Sequence, residues 1–484
     1  MTTEKLFLTI DQGGHSSRAL VFDQAGILVA EGHKTIAVVH PQDGWVEHHP
    51  QEVLLSTRQA IDQALAALGE RHVHIVAAGL ATQRSSIVCW DRSNGAALSP
   101  VISWQDRRAA QWVAQFHKHD AAIHHATGLF VTAHYGVSKL HWCMQHLPAV
   151  RAAYRQGLLA WGPMASFLLF HLLEEKPLWV DPANASRTLL WNFHTLDWDD
   201  KLLDLFGVPR EPLPRCMPTC CEFGHLRLSG RSVPFTVMTG DQSAALYAFG
   251  IPNYGTAYIN IGTGAFVQRV CGGNIDYAPR LLTSVVLQCD DTIEHVLEGT
   301  VNGAGSALME VERQLGMDAQ AAERNMPQWL SSVTDVPLFL NGVSGLGSPY
   351  WVPQFASQFI GEGTQAQKLV AVAESFVFLL QVNLNEMETL FVTPQRIVVS
   401  GGLARLDGIC QRLADVSGLM VYRPAECEAT ARGTAFLLAG RPAHWPEPAP
   451  GTSFSPHLNE ALQQRFQQWR VAMEREISKS NLPG

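Results

Sequence analysis

An aspartate and two glycines stand where the first apolar stretch of the sequence turns back on itself. The segment TIDQGGHSSRALVFDQAG covers residues 9–26, with Asp11 ahead of Gly13 and Gly14 and a second apolar run over 19–22. The N–H groups of a glycine turn can hold phosphate oxygens, and a ligand can approach the backbone closely there. A carboxylate beside phosphates needs a cation between them, and Mg²⁺ commonly contacts only one or two carboxylates. The pattern indicates a phosphate turn with a magnesium-binding acid, although Asp11 capping the turn explains it equally well.

A second glycine turn of the same kind occurs about half a chain length later. Residues 255–270 read GTAYINIGTGAFVQRV, in which Gly262, Thr263 and Gly264 separate two apolar runs. One hairpin of this kind is weak evidence for phosphate binding. Two such hairpins, one at the start of each half, are better explained if both bind the same polyphosphate from opposite sides. The sequence contains neither Gly-x-x-x-x-Gly-Lys-Ser/Thr nor a Gly-x-Gly-x-x-Gly turn between a strand and a helix. The paired turns therefore predict a nucleotide between the halves.

A second acid lies close to the midpoint of the chain. Asp241 follows Gly240 in VMTGDQSAAL and precedes a helix-forming run. A carboxylate at this place can be an ordinary N-cap. It can also be the general base that takes a proton from an acceptor hydroxyl during phosphoryl transfer. Its position between the halves, where a two-domain clamp would hold ligands, favours the second interpretation, but these residues alone leave both open.

The spacing of apolar residues predicts the elements that position these groups. We predict strands at 5–11, 17–23, 26–40 and 72–80, and a helix at 51–69. A β-hairpin followed by a helix and another buried strand is typical of an α/β layer.

Later segments are predicted more coarsely. Region 104–180 has a mostly helical pattern, 158–173 being one buried helix, and region 181–235 is loop-rich with turn signals. Residues 396–400 form a strand closed by Gly401 and Gly402, with a helix from about Leu406, and Phe466, Trp469 and Met473 share one face of a closing helix.

The two glycine hairpins indicate an internal duplication. A Gly-Pro-Asn-Gly break in YAFGIPNYGT places the boundary within 245–255, so we predict domains at 1–248 and 249–484. A chain of 484 residues is too long for one ordinary core, which agrees with two domains.

Composition excludes some classes of partner. Hydrophobic residues make up 46% of the chain and charged residues 16%, and the net charge of −9 argues against a nucleic-acid partner. The N-terminal apolar run is only strand-length, and 158–173 is too short to span a bilayer, so we expect neither a signal peptide nor a membrane partner. Most of the nine cysteines are scattered, and the cluster Cys216, Cys220 and Cys221 lacks the spacing and fourth ligand of a zinc site, which favours reduced thiols and a cytoplasmic location.

Motifs along nearly the whole chain resemble the FGGY carbohydrate kinases of the actin-like ATPase superfamily, and among them most closely the glycerol kinases. The matching stretches, in order, are IDQGGHSSRALVFD (10–23), GWVEHHPQEV (44–53), ATQRSSIVCWD (81–91), SWQDRR (103–108), TGLFVTAHYGVSKLHW (127–142), NASRTLLWNFHTLDWDDKLL (184–203), GDQSAAL (240–246), NIGTGAF (260–266), GLGSPYW (345–351), SGGLARLD (400–407) and ATARGTAFLLAG (429–440).

This resemblance implies an α/β fold of two duplicated actin-like (ribonuclease H-like) domains with a hinged cleft for ATP and Mg²⁺. It implies phosphorylation of a hydroxyl of a small polyol or sugar, with Asp241 as base and metal neighbour and Asp11 holding magnesium through water. The implied cofactor-binding residues are Gly13, Gly14, Arg18, Gly262, Thr263, Gly264, Gly305, Leu308, Gly401 and Gly402. The implied acceptor-binding residues are Arg84, Ser85, Trp104, His134, Asp241 and Gln242. The expected partner is the acceptor molecule, and a homodimer is left open.

Several positions depart from the family pattern. Ser85 stands where glycerol kinases have a glutamate that binds the polyol, and His134 stands where they have a tyrosine. Both changes fall in the acceptor pocket, so they put glycerol in doubt and suggest a longer polyol or a ketose. Gly14 and His15 replace two threonines of the first phosphate turn. Those replacements are the main support for an alternative function, a catalytically weakened sensor that binds nucleotide and sugar. A chaperone-type ATPase is a further alternative, against which Arg84 and Trp104 argue.

Overall fold

The computed structural model describes residues 4–273, 278–425, 428–447 and 449–480. The strands are β1 Leu6–Gln12, β2 Ser16–Phe22, β3 Leu28–Thr35, β4 Glu47–His48, β5 Ile75–Thr82, β6 Ile87–Asp91, β7 Val101–Ile102, β8 Leu159–Pro163, β9 Trp179–Val180, β10 Trp191–Asn192, β11 Asp197–Trp198, β12 Arg215–Cys216, β13 Cys220–Leu228, β14 Arg231–Gly240, β15 Thr256–Ile261, β16 Ala265–Gly272, β17 Leu282–Cys289, β18 Thr292–Val301, β19 Leu338–Leu340, β20 Gln358–Ile360, β21 Arg396–Ser400, β22 Met420–Arg423 and β23 Thr452–Phe454.

The α-helices lie between these strands and after the last of them. They are α1 Pro50–Leu68, α2 Ala110–Ala114, α3 Asp120–Thr127, α4 Gly136–His146, α5 Pro148–Arg155, α6 Met164–Leu172, α7 Pro182–Ala185, α8 Asp200–Phe206, α9 Asp241–Ala245, α10 Gly305–Gln314, α11 Ala319–Ser332, α12 Gln365–Glu388, α13 Asp407–Ser417, α14 Ala429–Leu438 and α15 Glu460–Ser480. Strands β1–β14 with helices α1–α9 are called the N-terminal half below, and the elements from β15 onward the C-terminal half.

The two halves repeat one strand order inside a single 13-stranded sheet. In the N-terminal half the order is β3-β2-β1-β5-β14, with an antiparallel hairpin followed by parallel strands. In the C-terminal half β18-β16-β15-β21-β22 has the same order and the same directions. The predicted duplication is thus visible in the topology, and each glycine hairpin joins the first two strands of its half. The halves meet where β13 pairs with β17 through Cys220 and Cys289.

Apolar faces of the helices cover this sheet. Helix α1 packs on β2 and β3 so closely that a Cβ added at Gly32 would lie 2.0 Å from the Ala60 carbonyl oxygen. Helix α12 is the one helix in the described residues with the length and apolarity of a membrane span, and 83% of its most apolar window is buried, so it is a core helix. The predicted closing helix is α15, which buries Phe466, Trp469 and Met473 on one face.

Helix α14 joins the two halves. It belongs to the C-terminal half by sequence but contacts α9, β1 and β5 of the N-terminal half. A Cβ at Gly433 would lie 1.8 Å from the Ala244 carbonyl oxygen, which shows how closely α14 and α9 cross. Since α9 begins at Asp241 and β1 contains Asp11, this helix crossing fixes the two acids relative to each other.

Three predicted elements differ from the structure. Residues 69–74 form a 3₁₀ helix, so the strand predicted at 72–80 starts at Ile75. The single helix predicted at 158–173 is strand β8 followed by α6, because residues 159–163 pair with β6 at the edge of a second sheet, β4-β7-β6-β8.

The third difference is the region 181–235, which was predicted as loop-rich. It contains the long hairpin β13–β14, whose turn places Ser229 at φ 45° and Gly230 at φ 84°. A Ser-Gly pair with two positive φ values is a favoured two-residue hairpin turn, so the sequence did hold a signal for this element. The eight cysteines in the described residues are all free, and Cys427 lies outside those residues.

Candidate active site

The first glycine turn lies at the end of β1 and brings an acid and an arginine together. The Gly13 N–H donates to the Ser16 carbonyl at 3.0 Å, which closes the turn. Asp11 and Arg18 are cross-strand partners, and the Arg18 guanidinium donates to the Asp11 carboxylate at 2.5 Å. Arg18 also donates to Glu428, which immediately precedes α14. The arginine thus links the first turn to the C-terminal half.

Burial makes Asp11 an unusual carboxyl group. It raises the pKa of Asp11 to about 6, the charges of Asp241 and Glu428 act in the same direction, and Arg18 opposes them. Helix α14 contacts both α9, which begins at Asp241, and β1, which contains Asp11, so the two acids lie in the same part of the fold. Two carboxylates in one crevice are a suitable environment for a hydrated divalent cation.

The second glycine turn is fixed by the start of α10. Gly262 N–H donates to the Gly264 carbonyl at 2.8 Å, and the exposed Thr263 uses its carbonyl to accept from Ala304 and Ser306 N–H at 3.0 and 2.9 Å. A Cβ at Gly305 would lie 2.9 Å from the Gly262 carbonyl oxygen. The threonine side chain is therefore presented to solvent from a rigid turn.

A pair of glycines after β21 leaves open backbone beside this turn. Gly401 has φ +94°, and a Cβ there would lie 2.5 Å from the Ile261 carbonyl oxygen, so a side chain is excluded. A Cβ at Gly402 would meet nothing within 4 Å. Leu308 differs from the other expected nucleotide residues because it is 5% exposed and packs in the core, whereas its neighbour Met309 is 58% exposed.

Three of the residues predicted to bind the acceptor lie at or near the start of α9. Asp241 is the first residue of that helix and Gly240 is its N-cap, and the Asp241 side chain accepts from the Gln242 N–H at 2.7 Å. Arg84 lies against Gly240 and donates to the Gln242 side chain. Burial raises the pKa of Asp241, while Arg84 and Arg187 oppose that rise. A half-buried carboxyl group with a raised pKa next to a cation suits proton acceptance.

The remaining predicted acceptor residues lie on loops around Arg84. Ser85 is buried at φ 63°, and its hydroxyl oxygen has no hydrogen-bond partner in the described residues. The Trp104 N–H donates to Ser86 at 3.1 Å, and its ring lies 5.4 Å from the His134 ring. Burial lowers the pKa of His134 well below its usual value, and nearby cations act the same way. His134 is therefore a neutral ring at the edge of the site.

Models of known protein families match both halves of the chain. The family model for the N-terminal domain of the FGGY family of carbohydrate kinases matches residues 6–248, and that for the C-terminal domain matches 257–440. A glycerol kinase of Ectopseudomonas mendocina is 32% identical over 97% of this chain and 99% of its own.

The chain belongs to the FGGY family of carbohydrate kinases. It is a phosphotransferase that acts on a hydroxyl group, and the predicted resemblance to glycerol kinases is confirmed.

Solved structures support the fold of this FGGY kinase. A glycerol kinase from Plasmodium falciparum, solved with ADP, superposes with a TM-score of 0.87 at 22% identity, covering 98% of each chain. A xylulose kinase from Rhodospirillum rubrum gives a TM-score of 0.86 at 19% identity, over 98% of this chain and 99% of its own. The predicted two-domain α/β fold is confirmed by these likenesses.

Sequence reasoning missed two charged residues of the kinase site. Arg187 lies in the motif NASRT, and Glu298 lies within the otherwise apolar strand β18. The signal was present, because a single acid inside a buried run of VLEGTV needs a cationic partner. The partner could not be found from sequence alone, since Arg187 is 111 residues away.

Arg108 holds the loop that presents Trp104. Its guanidinium lies 3.9 Å from the centroid of the Trp45 ring and 4.4 Å from that of Trp142. It also pairs with Glu47 at 2.6 Å and with its own loop at Asp106. This arrangement keeps the SWQDRR segment in one conformation, so the indole is placed by packing that lies outside the site.

The raised pKa of Asp11 predicts that the stability of the ligand-free protein depends on pH. The pKa of Asp11 is about 6 in the folded protein, above the ordinary value of 3.8. The free energy of unfolding of the protein therefore falls as pH rises between those two values. Asp11→Asn removes the charge, so the ligand-free variant should be more stable than the wild type, with a difference about 1–1.5 kcal/mol larger at pH 8 than at pH 5. Urea unfolding at the two pH values measures this. An equal difference at both would show that burial does not disfavour the Asp11 charge.

Proposed function

We propose that this kinase transfers the γ-phosphoryl group of ATP to a terminal hydroxyl of a small polyol or ketose. The observation that carries the proposal is the placement of Asp241. Its carboxylate stands beside Arg84 and Gln242 on one side and within electrostatic reach of Asp11 on the other. A base between an acceptor-binding cation and a phosphate turn is what in-line transfer to an alcohol requires.

The proposed roles follow from the chemistry of each group. The acceptor O–H gives its proton to Asp241 as its oxygen bonds to phosphorus, and ADP leaves with the bridging oxygen. Arg84 and Gln242 hold the acceptor, which makes attack a matter of positioning. Arg18 and the turn at 262–264 face the phosphates, because they offer a guanidinium and the exposed Thr263.

Magnesium fits the residues present. Within the described ranges no three His, Cys, Asp or Glu side chains cluster as a metal site. Asp11 and Asp241 nevertheless supply the one or two carboxylates that Mg²⁺ needs when phosphates and waters complete its shell. When bound, the ion would neutralise charge on the phosphates. Asp11 would hold it through water, and Arg18 would then be free to turn from Asp11 towards the phosphates.

The acceptor pocket favours a substrate other than glycerol. Ser85 and His134 are both neutral and replace a carboxylate and a phenol, so the pocket has lost one anion and gained space at Ser85. The unpartnered Ser85 hydroxyl and the unpartnered Nη1 of Arg84 are buried polar atoms, which usually have partners. An acceptor with an additional hydroxyl or a carbonyl group would satisfy them.

Turnover over a panel of acceptors tests this function. ADP release is followed by a coupled assay with glycerol, erythritol, xylitol and D-xylulose, each with ATP and Mg²⁺. Turnover that depends on one acceptor supports the kinase, and a preference for a four- or five-carbon compound supports the altered pocket. Nucleotide binding without acceptor-dependent turnover supports the sensor, and ADP release independent of all acceptors supports an ATPase.

Removing the Ser85 hydroxyl should affect acceptor binding and not the fold. Because no group in the described part of the chain bonds to this hydroxyl, we expect Ser85→Ala to keep the wild-type melting temperature. The acceptor KM should rise about 2- to 12-fold, the range for one neutral hydrogen bond. Steady-state kinetics and thermal unfolding measure the two effects. A lower melting temperature with an unchanged acceptor KM would make Ser85 a structural residue.

We further propose that the protein is cytoplasmic, with its acceptor as the principal partner. The free cysteines and the burial of α12 support this location.

A further inference from the structure

Glu298 is a buried acid in the middle of a strand of the C-terminal half. It lies on β18 and is 5% exposed, between the buried Leu297 and Gly299. A carboxylate in such a place is costly unless cations and hydrogen-bond donors surround it. Its partners therefore show what the acid is for.

Those partners come from both halves. Glu298 Oε2 accepts from Gln268 Nε2 at 2.8 Å, on the neighbouring strand β16, and from Arg187 Nη2 at 3.2 Å. The same oxygen lies 4.0 Å from Nη2 of Arg84. Burial acts to raise the pKa of Glu298, but the charges of Arg187 and Arg84 outweigh it and lower the pKa. One carboxylate of the C-terminal half is thus shared by two arginines of the N-terminal half.

Arg84 depends on this carboxylate for its place in the acceptor site. Burial and the charge of Arg187 lower the pKa of Arg84 to about 10, and Glu298 and Asp241 oppose this. Arg84 uses Nη2 to bind Gln242, and its Nη1 is buried without a partner in the described structure. Without the charge of Glu298, the two guanidinium groups would repel each other. The buried Nη1 would then lose its fixed position.

We propose that Glu298 is a positioning residue for acceptor binding, which acts by holding Arg84 and Arg187 together across the junction of the two halves. The acceptor site is then complete only when the C-terminal half, which also carries the Gly262–Gly264 turn, is in contact with the N-terminal half. This inference rests on the proposed function, since it concerns binding of the hydroxyl compound that is phosphorylated.

Glu298→Gln tests the inference, with Glu374→Gln as matched control. Glu374 is a second buried acid of the same half, 2% exposed, and it accepts from Arg412 at 3.2 Å and from Arg465 at 2.7 Å, away from the site. Each variant removes one buried charge that two arginines share. Acceptor KM and ATP KM are measured with the best acceptor of glycerol, erythritol, xylitol and D-xylulose, and thermal unfolding is recorded for both.

Glu298→Gln is expected to raise the acceptor KM about 10- to 100-fold, because displaced binding groups lose their aligned contacts, and to change the ATP KM less than about 3-fold. Glu374→Gln should lower the melting temperature and leave the acceptor KM within about 2-fold, since it shares only the loss of a buried pair. An unchanged acceptor KM in folded Glu298→Gln overturns the inference while the kinase function stands. A wild type that turns over no acceptor overturns the function itself.

A variant that retains the carboxylate guards against misfolding. If Glu298→Gln does not fold, Gln268→Ala removes one hydrogen bond from Glu298 and keeps both arginines. It should raise the acceptor KM about 2- to 12-fold, the range for one hydrogen bond. An unchanged acceptor KM there would contradict the positioning role as well.

Discussion

Asp241→Asn is expected to lower kcat by about two to four orders of magnitude, the usual contribution of a positioned general base. The amide cannot accept the proton of the attacking hydroxyl, so the deprotonation step loses its base. In the described residues the Asp241 side chain accepts from the Gln242 N–H of its own helix, a bond that the amide oxygen of asparagine can also accept, so the variant keeps the shape of the site. KM for ATP should stay within about 3-fold, because the nucleotide contacts are not changed. Steady-state kinetics with saturating acceptor measures both values.

The control for this variant is an aspartate outside the site. Asp415 lies in the C-terminal half and accepts from the His457 N–H at 2.9 Å and from Gln411 at 2.7 Å, away from the cleft. Asp415→Asn should leave kcat unchanged. If Asp241→Asn turned over at the wild-type rate, another group would have to be the base.

Arg84→Met has the second-largest expected effect. Arg84 is 8% exposed, holds Gln242 and has no partner for Nη1 in the described residues, so it is a cation available to an acceptor oxygen. Hydrogen bonds to charged groups contribute about 1.5–3 kcal/mol, so kcat/KM for the acceptor should fall about 10- to 200-fold. Methionine keeps the apolar stem that lies over Gly240. Acceptor and ATP titrations separate this loss from any effect on nucleotide.

A buried arginine outside the site serves as comparison for Arg84→Met. Arg269 is 3% exposed and donates to the Val392 carbonyl at 2.6 Å, on the outer side of the C-terminal half. Arg269→Met is expected to affect stability and to spare the acceptor KM. An Arg84→Met variant with wild-type acceptor kinetics would remove Arg84 from the binding site.

The sequence predicted the parts of the site that lie within short segments. Both glycine hairpins, the acid that ends the first strand and the helix start at Asp241 are local patterns, and the structure has each of them at the expected place. Local patterns suffice there because a turn, a strand end and a helix start are decided by a few neighbouring residues.

The sequence could not show contacts that join distant segments. The pairing of Glu298 with Arg187 and Arg84, and of Arg18 with Glu428, depends on how the halves meet. The same limit explains β8, whose apolar run is equally compatible with a buried helix until its partner β6 is known.

The site contains several charged groups whose burial costs free energy when no ligand is bound. Burial raises the pKa of Asp11 and Asp241, and it lowers that of Arg84. Groups arranged in this way are stabilised by a ligand that supplies the missing partners, which is the usual state of a binding site. The polyphosphate, its cation and the acceptor hydroxyls are ligands of that kind.

Phosphorus NMR of the reaction mixture tests the central claim most directly. With ATP, Mg²⁺ and the preferred acceptor, a phosphate monoester coupled to the carbon-bound protons of the acceptor should appear in equal amount with ADP, and Asp241→Asn should suppress both. Release of inorganic phosphate in place of the ester, at a rate that the acceptor does not change, would contradict phosphoryl transfer to an alcohol at Asp241.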